Sequence, residues 1–159
     1  METQERNGSF FRFEDLRIYT KSIDFCTWLS KAVKQPTNES ERNLLTSFCR
    51  SAYDISLNIA EGSARSKSQF EHYLKISKTA IRECIAFSEI AHGLGMLADD
   101  DYEKSRELLM EMTRMIGALI ISLQRGSGRR RDDDDRDEGS ADIDAADTID
   151  PLDNIDTNF

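Results

Sequence analysis

From Phe70 to Leu94, the apolar and small residues Phe70, Tyr73, Ser77, Ala80, Cys84, Phe87, Ala91 and Leu94 recur at alternating spacings of three and four. A half-buried strand alternates every second residue, so this pattern belongs to a helix with one buried stripe, sustained for more than three heptads. The mean step of 3.5 residues predicts shallow left-handed packing against neighbouring helices. The small residues in its middle let one of those neighbours approach closely. A stripe this long must be covered, and the remaining sequence supplies the covers.

Three further segments carry the same period. Helix one is predicted from about Glu14 to Lys34, with Leu16, Tyr19, Ile23, Cys26, Leu29 or Ser30, and Val33 on one face. Pro36 ends it, because proline lacks the amide hydrogen and clashes with the preceding turn. Helix two is predicted from about Glu39 to Glu61, with Leu45, Phe48, Ala52, Ile55 and Ile59 as its stripe. Asn38 and Glu41 suit a capping box at its start, and Gly62 suits a left-handed C-terminal glycine. Helix three runs from about Gln69 to Leu94, with Ser68 and Glu71 as its expected capping box. Helix four runs from about Asp101 to Arg125, with Tyr102, Leu109, Met112, Ile116, Leu119 and Leu123 in its stripe. Asp99, Asp100, Asp101 and Glu103 crowd its first turn, where they oppose the positive end of the helix dipole.

Short links between long helices favour antiparallel neighbours. The expected fold is all-α, an antiparallel up-down-up-down four-helix bundle over residues 13–125, preceded by a flexible N-terminus at residues 1–12. A break is expected at Gly126-Ser127-Gly128. Residues 126–159 have little apolar content and no sustained period, which predicts a disordered acidic tail. Ile143, Ile149, Leu152 and Ile155 recur between its acids, so a short docking motif stands beside the simpler reading of a solubilising tail.

The net charge of −9 argues against a nucleic-acid partner until its location is considered. Residues 1–125 hold 17 Lys+Arg against 18 Asp+Glu, whereas residues 126–159 hold 4 Arg against 12 acids. The acidity therefore belongs to the tail, and the body is judged by its local patches. On helix three, Lys75, Lys78 and Arg82 recur at one-turn spacing. Arg65 and Lys67 sit just before that helix, and Arg50 lies on helix two. Such a strip can track phosphates. It can equally be a solvated helix face, with Glu71 and Glu83 diluting it and no aromatic residues between the cations to stack bases.

Helix one carries a second apolar strip, Ile18, Phe25 and Trp28, beyond what one seam needs. Exposed together these would make a patch that monomers avoid, so they are candidates for an interface with another copy of the chain. Asn58 and Glu61 lie three apart beside the helix-two stripe. With Gly62 they read as a structural polar motif fixing the turn into helix three, with Arg65 or an amide as partner; a ligand-binding role is the alternative.

No catalytic constellation is visible. His72 and His92 are separated by about 30 Å of helix, too far to share a metal; His72 follows Gln69, so only His92, after Glu89, has the Glu-x-x-His spacing that a di-iron bundle needs on two helices. Ser66 and Ser68 lie near Lys67 without the positioned base a nucleophile needs. Cys26, Cys49 and Cys84 are odd in number, far apart and embedded in apolar segments, as expected for reduced core thiols. No metal site and no cofactor are expected. No apolar run approaches bilayer length and the N-terminus carries no secretory pattern, so a cytoplasmic location without membrane contact is expected.

Several stretches together resemble one known family. Phe13-Glu14-Asp15-Leu16-Arg17-Ile18-Tyr19 resembles its opening, and Leu45-Thr46-Ser47-Phe48-Cys49-Arg50-Ser51-Ala52 is similar to its second helix. Asn58-Ile59-Ala60-Glu61-Gly62, followed by Arg65, Phe70, Tyr73-Leu74 and Glu83, is the most specific stretch. Over about residues 12–125 the chain resembles four-helix-bundle proteins related to those encoded within 23S rRNA intervening sequences. The resemblance implies a bundle that assembles into a ring, most often a pentamer. A related branch includes accessory proteins of diversity-generating retroelements, which bind a reverse transcriptase and nucleic acid, and the family is not one of recognised enzymes. The chain departs from the pattern at Ser56-Leu57, where Pro-Ser is usual, at Thr79-Ala80, where Gly-Ser is usual, and in its acidic tail.

The expected function is that of a non-catalytic homo-oligomeric scaffold or adaptor, for RNA or for an RNA-handling enzyme such as a reverse transcriptase. The alternative is a protein-interaction module acting through its acidic tail, without nucleic-acid contact.

Overall fold

The computed structural model describes residues 10–128. A 3-10 turn, Arg12–Asp15, leads into α1 (Arg17–Ala32), followed by α2 (Glu39–Ser63), α3 (Lys67–Gly93) and α4 (Asp99–Gly128). No strand occurs among the described residues. The helix α4 runs through the expected break at Gly126 to Gly128, so the bundle extends past the predicted boundary at 125. Arg12 already belongs to the 3-10 turn, so the ordered start precedes residue 13. Residues 1–9 of the N-terminus expected to be flexible, and residues 129–159 of the tail expected to be disordered, lie outside the described residues.

Each helix lies beside two others, in the cyclic order α1, α2, α3, α4, and the diagonal pairs meet only through the shared core. Contacts between neighbours run in opposite senses along the chain. Ser51 donates to Glu83 at 2.7 Å and Ser77 donates to the carbonyl of Ile55 at 3.1 Å, so α2 descends as α3 rises. Lys21 reaches Glu111 at 3.1 Å, and further along α1 Trp28 lies under the ammonium of Lys104, 5.7 Å from the ring centroid. Gln124 donates to Glu71 at 2.9 Å near one end of α3 and α4, and His92 meets Asp99 at 2.7 Å near the other. The seam between α2 and α3 is the most extensive, and that between α1 and α4 is the thinnest.

The expected stripes of α2 and α4 form the core, through Phe48, Ala52, Ile55, Ile59, Leu109, Met112 and Ile116. On α3 the stripe is wider than the spacing indicated. Leu74 and Ile81 are buried beside Ser77, Ala80, Cys84 and Ala91, while Leu94 is exposed.

The phase of α1 requires correction. Ile18 and Phe25, nominated as an interface with another copy, are 4% and 0% exposed within the single chain, in line with buried Ser22, Leu29 and Val33. Trp28 is half-buried against Phe25, with ring centroids 5.8 Å apart. Ile23, expected inside, is 40% exposed. The physical reason is that α1 wedges between α2 and α4 and buries a broad arc. The centre of that arc falls on the supposed second strip.

The helix starts follow the expected chemistry with shifted partners. Asn38 caps α2, accepting from the Glu41 amide at 2.9 Å. Glu41 does not return to Asn38 as a capping box would. Its carboxylate accepts from the Thr37 amide at 2.7 Å and the Thr37 hydroxyl at 2.8 Å. At α3 the capping box is Ser66 with Gln69, two residues before the expected Ser68 and Glu71. The Asn38→Ala variant is expected to lose about 1 kcal/mol of stability, read from its urea midpoint. The Thr37 bonds hold the Glu41 carboxyl below its usual range. A depressed carboxylate stabilises the fold above its unfolded pKa and loses that contribution as pH falls through the folded one. A side-chain NMR titration of Glu41 is therefore expected to show a midpoint below that of a free glutamate.

Candidate nucleic-acid interface

Lys75, Lys78 and Arg82 follow Glu71 at four, seven and eleven positions, so all four share one side of α3. Glu71 identifies that side. It is held by Gln124 of α4 and by Lys75, whose ammonium lies at 3.2 Å. The strip therefore runs along the α3–α4 seam, with Lys75 and Arg82 exposed and Lys78 half-buried. Lys67, at the start of α3, reaches the last turn of α4. Its ammonium would lie 3.0 Å from a Cβ placed on Gly126.

Of the two acids that dilute this strip on paper, Glu71 stays on it, paired with Lys75, and Glu83 is turned away. Glu83 faces α2, where it accepts the Ser51 hydroxyl. Glu111, midway along α4, faces α1 and pairs with Lys21. Beyond Glu111, α4 contains no further acid and carries Arg114 and Arg125, both exposed. The exposed side of α3 thus carries Lys75, Lys78 and Arg82 in a row beside α4, with Glu71 at one end paired with Lys75.

The other nominated cations are arranged differently. Arg65 is held by Glu61 one turn earlier, its Nε donating at 2.8 Å, and both side chains are about half exposed. An exposed pair of this kind is screened by solvent and adds little to stability. Arg50 lies apart from the strip, on the outer face of α2, in a groove of about 530 Å³ shared with Leu45, Cys49, Tyr53, Asp54 and Leu57.

The Asn58, Glu61 and Gly62 motif is resolved into separate roles. Asn58 donates to the Asp54 carbonyl within its own helix at 2.7 Å, and Glu61 is exposed, so the two share no buried network. Gly62 is not a left-handed cap. It lies inside α2, which ends at Ser63, and only Gly95 (φ 69°) has a positive φ among the described glycines. A Cβ at Gly62 would fall 2.6 Å from Cβ of Tyr73 and 2.8 Å from Cδ2 of Phe70. Glycine is required here because α3 crosses against the bare backbone of α2.

The groups most able to do chemistry are placed structurally. His92 stacks on Tyr102, centroids 4.4 Å apart, while bonded to Asp99. His72 is exposed, next to Tyr73. Burial holds the Cys84 thiol well above its usual range and pushes Cys26 up to about 11, so both stay protonated at neutral pH. Cys26 donates to the Ala52 carbonyl of α2 at 3.3 Å. Among the described residues, no group of three or more His, Cys, Asp or Glu is placed to hold a metal ion. No described helix is long and apolar enough to cross a membrane.

The described residues form a four-helix bundle with Lys75, Lys78 and Arg82 along one exposed side of α3. The chain belongs to the 23S rRNA-intervening sequence protein family, which it matches over residues 14–118. That match includes the Asn58 to Gly62 stretch and the whole Lys75 to Arg82 strip. No curated protein matches the chain.

Proposed function

We propose that the protein is a non-catalytic, self-associating scaffold that holds RNA through its phosphates along the α3–α4 side. The observation that supports this most is that Lys75, Lys78 and Arg82 share one exposed side of α3 while Glu83 faces Ser51 of α2. Cations repeating about every 5.4 Å along a helix are suited to successive phosphates, and binding of this kind releases counterions. Self-association draws on a different surface from the one nominated in sequence. Phe10 (91% exposed), Phe11, Tyr53 and Leu57 are apolar and exposed, and Leu57 lines both the α2 groove and a second one bordered by Phe10 and Phe11. A ring, five-membered as the family resemblance implies, repeats the cationic strip around its circumference and raises avidity. The scaffold acts in the cytoplasm in this reading.

Charge reversal tests the RNA contact. In the variant Lys75→Glu, Lys78→Glu, Arg82→Glu, affinity for a structured RNA is expected to fall at least about tenfold at 0.1 M salt. The plot of log affinity against log salt becomes shallower by about two to three. Fluorescence anisotropy measures both, and equal affinity and slope for wild type and variant would end the phosphate-binding reading. Light scattering tests assembly: a mass of several times the 18.2 kDa chain, reduced by Leu57→Glu, is expected. A mass of one chain for the wild type overturns self-association.

A further inference from the structure

We propose that residues 132–159 of the chain bind back onto the cationic α3–α4 side and compete with nucleic acid for it. The competition rests on the RNA reading above, whereas the docking itself does not. Charge is the first argument. Residues 132–159 contain twelve acids and one cation, Arg136, so they present an anionic polymer to the cationic strip. Glu83 accepts from Ser51 and Glu111 pairs with Lys21, whereas Lys75, Lys78 and Arg82 lie in a row on the exposed side of α3, with Arg114 exposed on α4.

Reach is the second argument. The segment departs from Gly128, at the end of α4. Lys67 lies beside Gly126 at that same end, so the acids begin within a few residues of the strip's first cation. From Lys67 to Arg82 along α3 is about 22 Å. The 28 residues from Asp132 to Phe159 extend up to roughly 95 Å, several times what is needed. A tethered ligand on a short link experiences an effective concentration of millimolar order, so even a weak electrostatic contact is populated. The docked segment imitates the phosphate backbone it displaces, and salt weakens both contacts together.

The test uses the full chain. At 50 mM salt, a zero-length carbodiimide reagent is expected to join Lys75 or Lys78 to acids of residues 132–159 within one chain, with the yield lost at 0.5 M salt. A second full-length protein has the twelve acids replaced by Asn or Gln. Its amide NMR shifts are expected to differ from wild type around Lys75, Lys78, Arg82 and Arg114, and its RNA affinity to rise at least about tenfold at low salt. Cross-links absent, with shifts unchanged along the strip, overturn the proposal even where RNA affinity rises, because long-range repulsion alone would then explain the gain. Cross-links and shifts on the strip in a protein that ignores RNA leave the docking standing and remove the RNA reading instead.

Discussion

The Phe25→Ala variant is expected to lose about 3–5 kcal/mol of unfolding free energy, the usual cost of emptying a buried aromatic position. Phe25 is fully buried, and its ring packs against Trp28 at the centre of the arc that α1 presents to α2 and α4. The alanine removes that contact and leaves a cavity walled by helices that cannot close around it without moving apart elsewhere. Chemical denaturation followed by circular dichroism gives the magnitude. Its concentration dependence gives the location. A core residue costs the same at any protein concentration, whereas a residue between copies costs more when the protein is concentrated enough to assemble. A loss below about 1 kcal/mol, or one that grows with concentration, would return Phe25 to an interface.

The Gly62→Ala variant is the second large effect, and two principles assign it opposite signs. Helix propensity favours alanine over glycine by about 1 kcal/mol inside a helix. Packing opposes it, since the new methyl would sit 2.6 Å from Cβ of Tyr73, an atom fixed to the α3 backbone that no rotamer change can withdraw. Forcing the helices apart costs about 1–3 kcal/mol or more, so a net destabilisation of about 1–2 kcal/mol is expected. The urea midpoint of the variant measures it. An unchanged or raised midpoint shows that α2 and α3 separate freely at this crossing.

The contrast between these residues shows what the sequence makes legible. Helix identity was readable everywhere, because spacings of three and four depend only on the chain's own geometry. The stripes of α2 and α4 were readable because each is narrow, and its centre is unambiguous. On α1 the apolar arc is broad, and either Ile23 or Phe25 can mark its middle. The decision is made by two neighbours that lie far away in sequence. Gly62 failed for a related reason. A glycine near a helix end suits a cap by local rules, and only the approach of Tyr73 and Phe70 reveals a packing requirement. The cationic strip was legible as spacing, but its dilution by Glu83 was not decided there. Where an acid points depends on the Ser51 hydroxyl across the seam.

The unequal seams of the bundle also set an order in time. The α2–α3 pair, joined by the short link from Ala64 to Ser66 and locked by its extensive contact, behaves as a helical hairpin of low contact order that forms early. The α1–α4 seam joins the two helices most distant in sequence through the thinnest contact, so it closes last and opens first. Native-state hydrogen exchange would accordingly find α1 detaching as a unit while α2 and α3 stay protected. In that event Lys21 leaves Glu111, and α4 then carries an acid without its ion-pair partner one turn from Arg114.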